Sequence, residues 1–345
     1  MRILFASTQG AGHVGPLLPF ARAALAAGHT VVLAAPATHS ELPLVRLDLA
    51  PGRAAAWAPV FTPQSPGLVH TLQELFIGLD AAAALPGMLA AVERFAPDLI
   101  VRETCEFASA VAAERFGVPT VQVGIHLDTT IDTGEALLAI ADPALRRLGL
   151  REPERLLRAP VLTMVPSSLS ADSPRLHRFR TVTPPPGERD LVYVSFGSET
   201  PHTPHFPQLY RDTIEALEGD VLVALGRDPA DLGAVPGNVR VERWADQPAA
   251  LARATAMVGH GGSGSTLAAL AAGVPVAFIP LFVDGDDNAR RVAAAGAGRL
   301  VDGDLAGTVA RLDTAAARQI ADEIAALEPV SAWAARAPRA HAAGL

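Results

Sequence analysis

The chain has 345 residues, half of them apolar, and a formal net charge of −8, which is enough length for two domains that each bury a core. That acidic balance speaks against a nucleic-acid or anionic-membrane surface, because such surfaces need a basic face. Every basic residue is an arginine, which excludes a lysine phosphate clamp or Schiff base, and Cys105 is the sole cysteine, so no intrachain disulfide forms and a reducing compartment fits.

Met1 leads at once into a short apolar run, Arg2 to Ser7, that reads as a strand rather than a leader, and no run reads as a bilayer span. The expectation is a cytoplasmic protein without stable membrane insertion. A Gly-rich loop follows, then a helix from Leu17 to Ala27 stopped at Gly28, then a strand from Thr30 to Ala35. Scattered prolines and aromatics from Ala50 to Leu85 predict irregular structure. The strand–helix alternation returns with Leu99 to Arg102, Glu106 to Phe116 and Thr120 to Val123.

Pro184-Pro185-Pro186-Gly187 cannot continue a helix or a central strand and marks a linker. Beyond it the pattern restarts with strands at Leu191 to Phe196, Val221 to Leu225, Val239 to Glu242, Met257 to Gly259 and Pro275 to Ile279. Helices are predicted near Phe206 to Leu217, Ser265 to Ala272 and Asn288 to Ala295. Two doubly wound α/β domains facing a central cleft are the economical architecture, and a ligand would sit at the carboxyl ends of the strands.

The densest chemistry lies where the strand Met257 to Gly259 runs into His260-Gly261-Gly262-Ser263-Gly264-Ser265-Thr266 and a helix. Glycines let a backbone approach an anion, and a helix start offers unpaired N–H groups and a positive dipole end. The same residues also suit a tight βα turn with a Ser or Thr cap. Around them stand Trp244-Ala245-Asp246-Gln247-Pro248, Gly273-Val274-Pro275, Pro280-Leu281-Phe282-Val283-Asp284 and Asn288.

This array resembles the donor-binding signature of family 1 glycosyltransferases, the group that contains plant secondary-product and bacterial antibiotic enzymes. The loop Gly10-Ala11-Gly12-His13-Val14-Gly15-Pro16 resembles the family's amino-terminal motif, and Gly197-Ser198 after the strand at Leu191 resembles its diphosphate loop. The resemblance implies a GT-B fold of two Rossmann-like domains, with an acceptor domain over 1–183, a linker over 184–190 and a donor domain over 191–345. It implies that Trp244 stacks on the nucleobase with Gln247 beside it. His260 would contact the diphosphate, helped by Gly12, Gly197, Ser198, Gly262, Gly264, Ser265 and Thr266, while Asp284 would bind sugar hydroxyls. The expected partners are a nucleotide sugar, dTDP- or UDP-linked, as co-substrate and a small hydrophobic acceptor; no cofactor, no metal and no nucleic acid are expected.

Transfer needs a group to take the acceptor's proton. His13, with an ordinary pKa near 6.5, suits that role at neutral pH. Glu103 is the candidate carboxylate behind it, with Glu106 and Asp98 as alternatives. Two positions depart from the family pattern. Ala268 stands where plant members place a ribose-binding Glu, which suits a dTDP donor, and Gly285 stands where a sugar-binding Gln is usual.

Asp284-Gly285-Asp286-Asp287 and Asp302-Gly303-Asp304 superficially resemble metal sites, yet Asp-Gly is also a common turn. Trp57, Phe61, Phe76 and Leu127 are expected around the acceptor, and His70 and His126 border the same segments. The reading is therefore an inverting, metal-independent transferase acting on a hydroxyl. Its alternatives are a nucleotide-binding helper or inactive paralogue, and a sugar-nucleotide epimerase on the same scaffold.

Overall fold

The computed structural model describes the chain except residues 38–39, 63–64, 182–186, 199, 201–202, 204, 227–230, 282–283 and 343–345, and except the side chains of 338–342. The expected Pro184-Pro185-Pro186 linker, His202, Phe282 and Val283 thus lie outside the described residues.

Short apolar runs that are buried on both faces form parallel sheets with helices packed on each side. In the first domain these strands are β1 Arg2–Ala6, β2 Thr30–Ala35, β3 Leu44–Arg46, β4 Leu99–Glu103, β5 Thr120–Val123, β6 Val161–Thr163 and β7 Leu176–Arg180. In the second they are β8 Leu191–Ser195, β9 Asp220–Ala224, β10 Val239–Glu242, β11 Ala254–Gly259, β12 Val276–Phe278 and β13 Gly298–Leu300.

The second sheet runs β10-β9-β8-β11-β12-β13, and the first runs β3-β2-β1-β4-β5-β6-β7 with one further edge strand beyond β7. All recorded pairs are parallel. Strand order therefore reverses between β1 and β4 in one sheet and between β8 and β11 in the other. Crevices at such reversals are where α/β sheets hold ligands.

Three expectations are corrected. The first helix spans Ala11–Ala26 rather than starting at Leu17, so the motif Gly10 to Pro16 is mostly the opening of a helix and His13 sits in its first turn. Pro16 and Pro19 lie inside it and each removes a backbone donor, which is why the start reads as a loop in sequence.

Residues 50–85, expected to be irregular, contain a helix at Arg53–Trp57 and much of a continuous one over Leu68–Phe95, whose stretch Thr71–Ala81 is wound as a π-helix. At 28 residues, with an 18-residue window of mean hydropathy 1.9, this helix is long and apolar enough to cross a membrane by length and composition. Leu72, Ile77, Ala81, Ala84, Met88 and Val92 nevertheless bury one face of it against Leu4, Val32 and Ile100 of the first sheet.

The third correction concerns the end of the second domain. After the helix Thr314–Ala326 the chain returns: β14 Glu328–Pro329 pairs with β7, and the C-terminal helix Val330–Ala342 packs on the first domain. Trp333 meets Phe20 and Phe5 edge-on at 5.4 and 6.4 Å between ring centres. Residues from about 328 onward thus complete the first domain, not the second.

Candidate active site

Both sheet reversals open onto one cleft, and the first helix touches the helix Ser263–Ala271, here the cradle helix. On the first-domain side, β1 leads into the helix that carries His13, and β4 ends on Glu103. His13 Nδ1 lies 3.3 Å from Glu103 Oε1, with the histidine 21% exposed and the glutamate fully covered. The contact is off the line of a good hydrogen bond, as is common where a ligand completes the geometry.

Glu103 is itself fixed, because the N–H of Thr8 donates to Oε1 at 3.2 Å and that of Cys105 to Oε2 at 2.6 Å. Burial pushes this carboxyl up, but His13, the Cys105 N–H and Arg102 outweigh it and hold Glu103 below the usual carboxylate range.

The two alternatives to Glu103 point elsewhere. Glu106 accepts from the Ser109 N–H at 3.0 Å and lies beside Arg102, and burial pushes its carboxyl up. Asp98 accepts from the Arg2 N–H at 2.7 Å, at the far end of β4. Next to His13, Phe76 packs at 5.5 Å and Trp57 meets Phe76 at 4.7 Å, with Phe61 on the same cluster. Leu127, expected with these aromatics, is instead fully buried in the second domain's core. His70 is exposed on its helix.

On the second-domain side, β11 ends at Gly259 and turns through His260 into the cradle helix. Added Cβ atoms at Gly12 and Gly264 would meet nothing within 4 Å, so both glycines border open space. Gly197 and Gly262 are different: each lies against the His260 ring, and a Cβ on Gly197 would come within 2.8 Å of it. Burial pushes His260 down to about 4, partly opposed by Asp284 and the Ser195 backbone, so the ring is neutral at pH 7.

Ser198 is half-buried beside Gly197. Trp244 is 54% exposed, so much of its indole surface is turned to solvent. Gln247 Nε2 donates to Ser265 Oγ at 3.4 Å, tying the segment after Trp244 to the cradle. Thr266 departs from expectation: it is 2% exposed inside the helix and offers no surface to a ligand.

Asp284 accepts from Ser263 Oγ at 2.9 Å and from Asn288 Nδ2 at 2.8 Å, and the same amide donates to the Gly261 carbonyl at 2.8 Å. Asn288 thus locks the aspartate to the cradle turn, a role its sequence position alone did not reveal. Gly285 gains a steric reason as well: a Cβ there would sit 2.5 Å from the His260 carbonyl oxygen, so no glutamine fits. Beside Asp284 an open cavity of about 850 Å³ is lined by Asp128 and Leu169 of the first domain and by Arg290 and Arg291 of the second.

The acidic runs that resembled metal sites are committed elsewhere. Asp286 pairs with Arg290 at 2.7 Å, and Asp304 accepts from the Gly307 N–H at 2.8 Å. Among the described residues, no group of three or more His, Cys, Asp or Glu side chains is placed to hold a metal ion.

Residues 209–337 match the family described as "Erythromycin biosynthesis protein CIII-like, C-terminal domain". The L-demethylnoviosyl transferase of Streptomyces niveus is 33% identical over 86% of this chain and 84% of its own. The elloramycin glycosyltransferase ElmGT of Streptomyces olivaceus is 31% identical over 97% and 96%. Among solved structures, the glycosyltransferase SnogD from Streptomyces nogalater superposes with a TM-score of 0.79 at 27% identity, over 99% of both chains. SsfS6 from Streptomyces sp. SF2575, in complex with thymidine diphosphate, does so with a TM-score of 0.77 at 25% identity, over 98% of this chain and 99% of that one.

Proposed function

This chain belongs to the family 1 glycosyltransferases of bacterial antibiotic type, with the GT-B fold, and we propose that it inverts the anomeric centre as it moves a sugar from dTDP or UDP to a hydroxyl of a hydrophobic natural product. The pairing of His13 with Glu103, on a helix that touches the cradle helix, carries this reading. With Nδ1 turned to the carboxylate, Nε2 is the pole left to take the acceptor's proton, and Glu103 steadies the imidazolium that results.

The freed oxygen attacks the anomeric carbon while the bond to the diphosphate breaks, and the bonding pair leaves with the phosphate oxygen. N–H groups at the start of the cradle helix meet that charge without any metal. A single displacement of this kind inverts the anomeric configuration. Trp57, Phe61 and Phe76 supply an apolar aromatic wall beside His13 for the acceptor.

Support for dTDP comes from Ala268, which supplies no carboxylate for a ribose hydroxyl, and from SsfS6, which is described in complex with thymidine diphosphate. Gly285 no longer bears on the sugar alone, since on this chain's backbone a side chain there would meet the His260 carbonyl. The decisive experiment pairs His13→Ala with a thermal-shift titration of dTDP and UDP. Turnover is expected to vanish while the ligand-induced rise in melting temperature survives. Unchanged turnover removes His13 from the mechanism.

A further inference from the structure

A second histidine stands on a buried carboxylate one residue further along β4. Glu103 backs His13, and the next residue, Thr104, donates from Oγ1 to Asp132 Oδ1 at 2.6 Å. That same carboxylate accepts from His126 Nδ1 at 2.7 Å and from the His126 backbone N–H at 3.3 Å. Asp132 is fully covered while the His126 side chain is 18% exposed. Gly124 makes the arrangement possible, since a Cβ there would lie 2.6 Å from Asp132 Oδ2.

The segment that carries His126 is fastened to the donor side of the cleft. The N–H of Leu127, the next residue, donates to Ser263 Oγ at 3.2 Å, on the first residue of the cradle helix. Asp128 then accepts from Arg291 at 2.6 Å, and Arg291 also donates to the Leu169 carbonyl at 3.1 Å. These contacts hold His126 at the edge of the cradle even though it belongs to the other domain.

Among the described residues, the cradle itself is short of positive charge. The chain has no lysine, His260 is neutral, and Arg291 is engaged with Asp128. Backbone N–H groups and hydroxyls carry only partial charges, whereas a leaving nucleoside diphosphate gains a full one.

Resting on the reading that this cleft takes a nucleotide-diphosphate sugar, we propose that His126 is a second active-site histidine. It is a cation, held by Asp132, that the first domain lends to the donor's diphosphate when the two domains meet. His13 moves a proton on the acceptor side, and His126 holds charge on the leaving-group side. The groups facing His126 agree with a cationic ring. Burial opposes the charge, but Asp132 and the Cys105 thiol beside it outweigh burial and hold the imidazole well above its ordinary value, while His126 in turn helps to lower nearby Asp128.

The test is calorimetric binding of dTDP and UDP to the wild type, His126→Gln and Asp132→Asn, from about pH 6 to about pH 9. His126→Gln is expected to weaken diphosphate binding about tenfold or more, the loss of one charge-assisted hydrogen bond. The wild type is expected to lose affinity relative to His126→Gln as pH rises through the His126 pKa. Asp132→Asn moves that loss to lower pH, because the carboxylate no longer holds the ring charged. His126→Arg, which keeps the charge, should retain affinity at alkaline pH and serves if the glutamine variant does not fold.

Binding by His126→Gln within about twofold of wild type, with the same pH dependence, overturns the proposal and makes the pair a support for its loop. A wild type that binds neither dTDP nor UDP removes the donor reading and this proposal together. Normal wild-type binding with an indifferent His126 removes only the latter.

Discussion

The two lips of the cleft are built from different kinds of polarity. On the first domain, His13 and His126 each lean on a carboxylate that is fully covered, Glu103 and Asp132. On the second, His260 is neutral, and around it stand glycines, small hydroxyls and the N–H groups of a helix start, with Asp284 tied to that turn. In the proposed mechanism proton movement needs side chains whose charge can change, and it falls to the lip where buried acids hold imidazoles. Charge stabilisation works best with dipoles that do not reorganise, so it is built into the backbone. One lip is therefore sensitive to single substitutions, while the other yields chiefly to changes that distort the turn.

The sharpest contrast is expected from Glu103→Gln, which keeps the shape but removes the charge behind His13. A loss of about a hundredfold in kcat is expected, with dTDP affinity unchanged by calorimetry. A matching loss of affinity would show that the two lips are not separable. Gly285→Ala attacks the other lip through its backbone. Overpacking against the His260 carbonyl should cost about 1–3 kcal/mol in chemical denaturation and weaken dTDP binding with it.

The two histidines with resolved shifts also predict opposite stability profiles. His260 is depressed to about 4 from 6.5, so the unfolded chain takes up a proton first and stability falls as pH drops from about 6.5 toward 4. His126 is raised, so its contribution is complete below its unfolded value and is lost as pH rises through the elevated one. Melting curves of His260→Gln should flatten the acid limb alone, and those of His126→Gln the alkaline limb alone; one variant that flattens both limbs would break the distinction. The smallest effect belongs to Ser265→Ala. Because backbone donors dominate the cradle, it should change dTDP affinity by less than about tenfold.

Legibility in the sequence followed how local each signal is. The strands at Arg2, Thr30, Leu99 and Leu191 were readable because parallel strands buried on both faces leave short continuous apolar runs. The strand, turn and helix around His260 could be placed from their glycines and hydroxyls, since β11, the turn and the cradle helix are adjacent in the chain.

Signals that depend on distant partners were not readable. Nothing local marks Leu68–Phe95 as one helix when Gly78, Pro86 and Gly87 interrupt it, and only packing on the first sheet holds it together. Likewise Asp132 becomes meaningful only once β4 and β5 bring Thr104 and His126 to it. Glycine at 285 looked like a lost contact from sequence, while the local backbone also leaves no room for a Cβ against the His260 carbonyl.

The return of the chain to its first domain has a mechanical consequence. The second domain is a guest spliced into its host: the chain leaves after β7 and comes back at β14, and these two strands are neighbours in one sheet. Two tethers that emerge side by side act as an axle. Anchored on adjacent strands, they are expected to resist rotation of the guest about its own length and so to keep the cradle turn facing the first domain. Cutting the chain just before β14 would leave a single strand as a swivel, and the aim of the guest would be lost before its fold was.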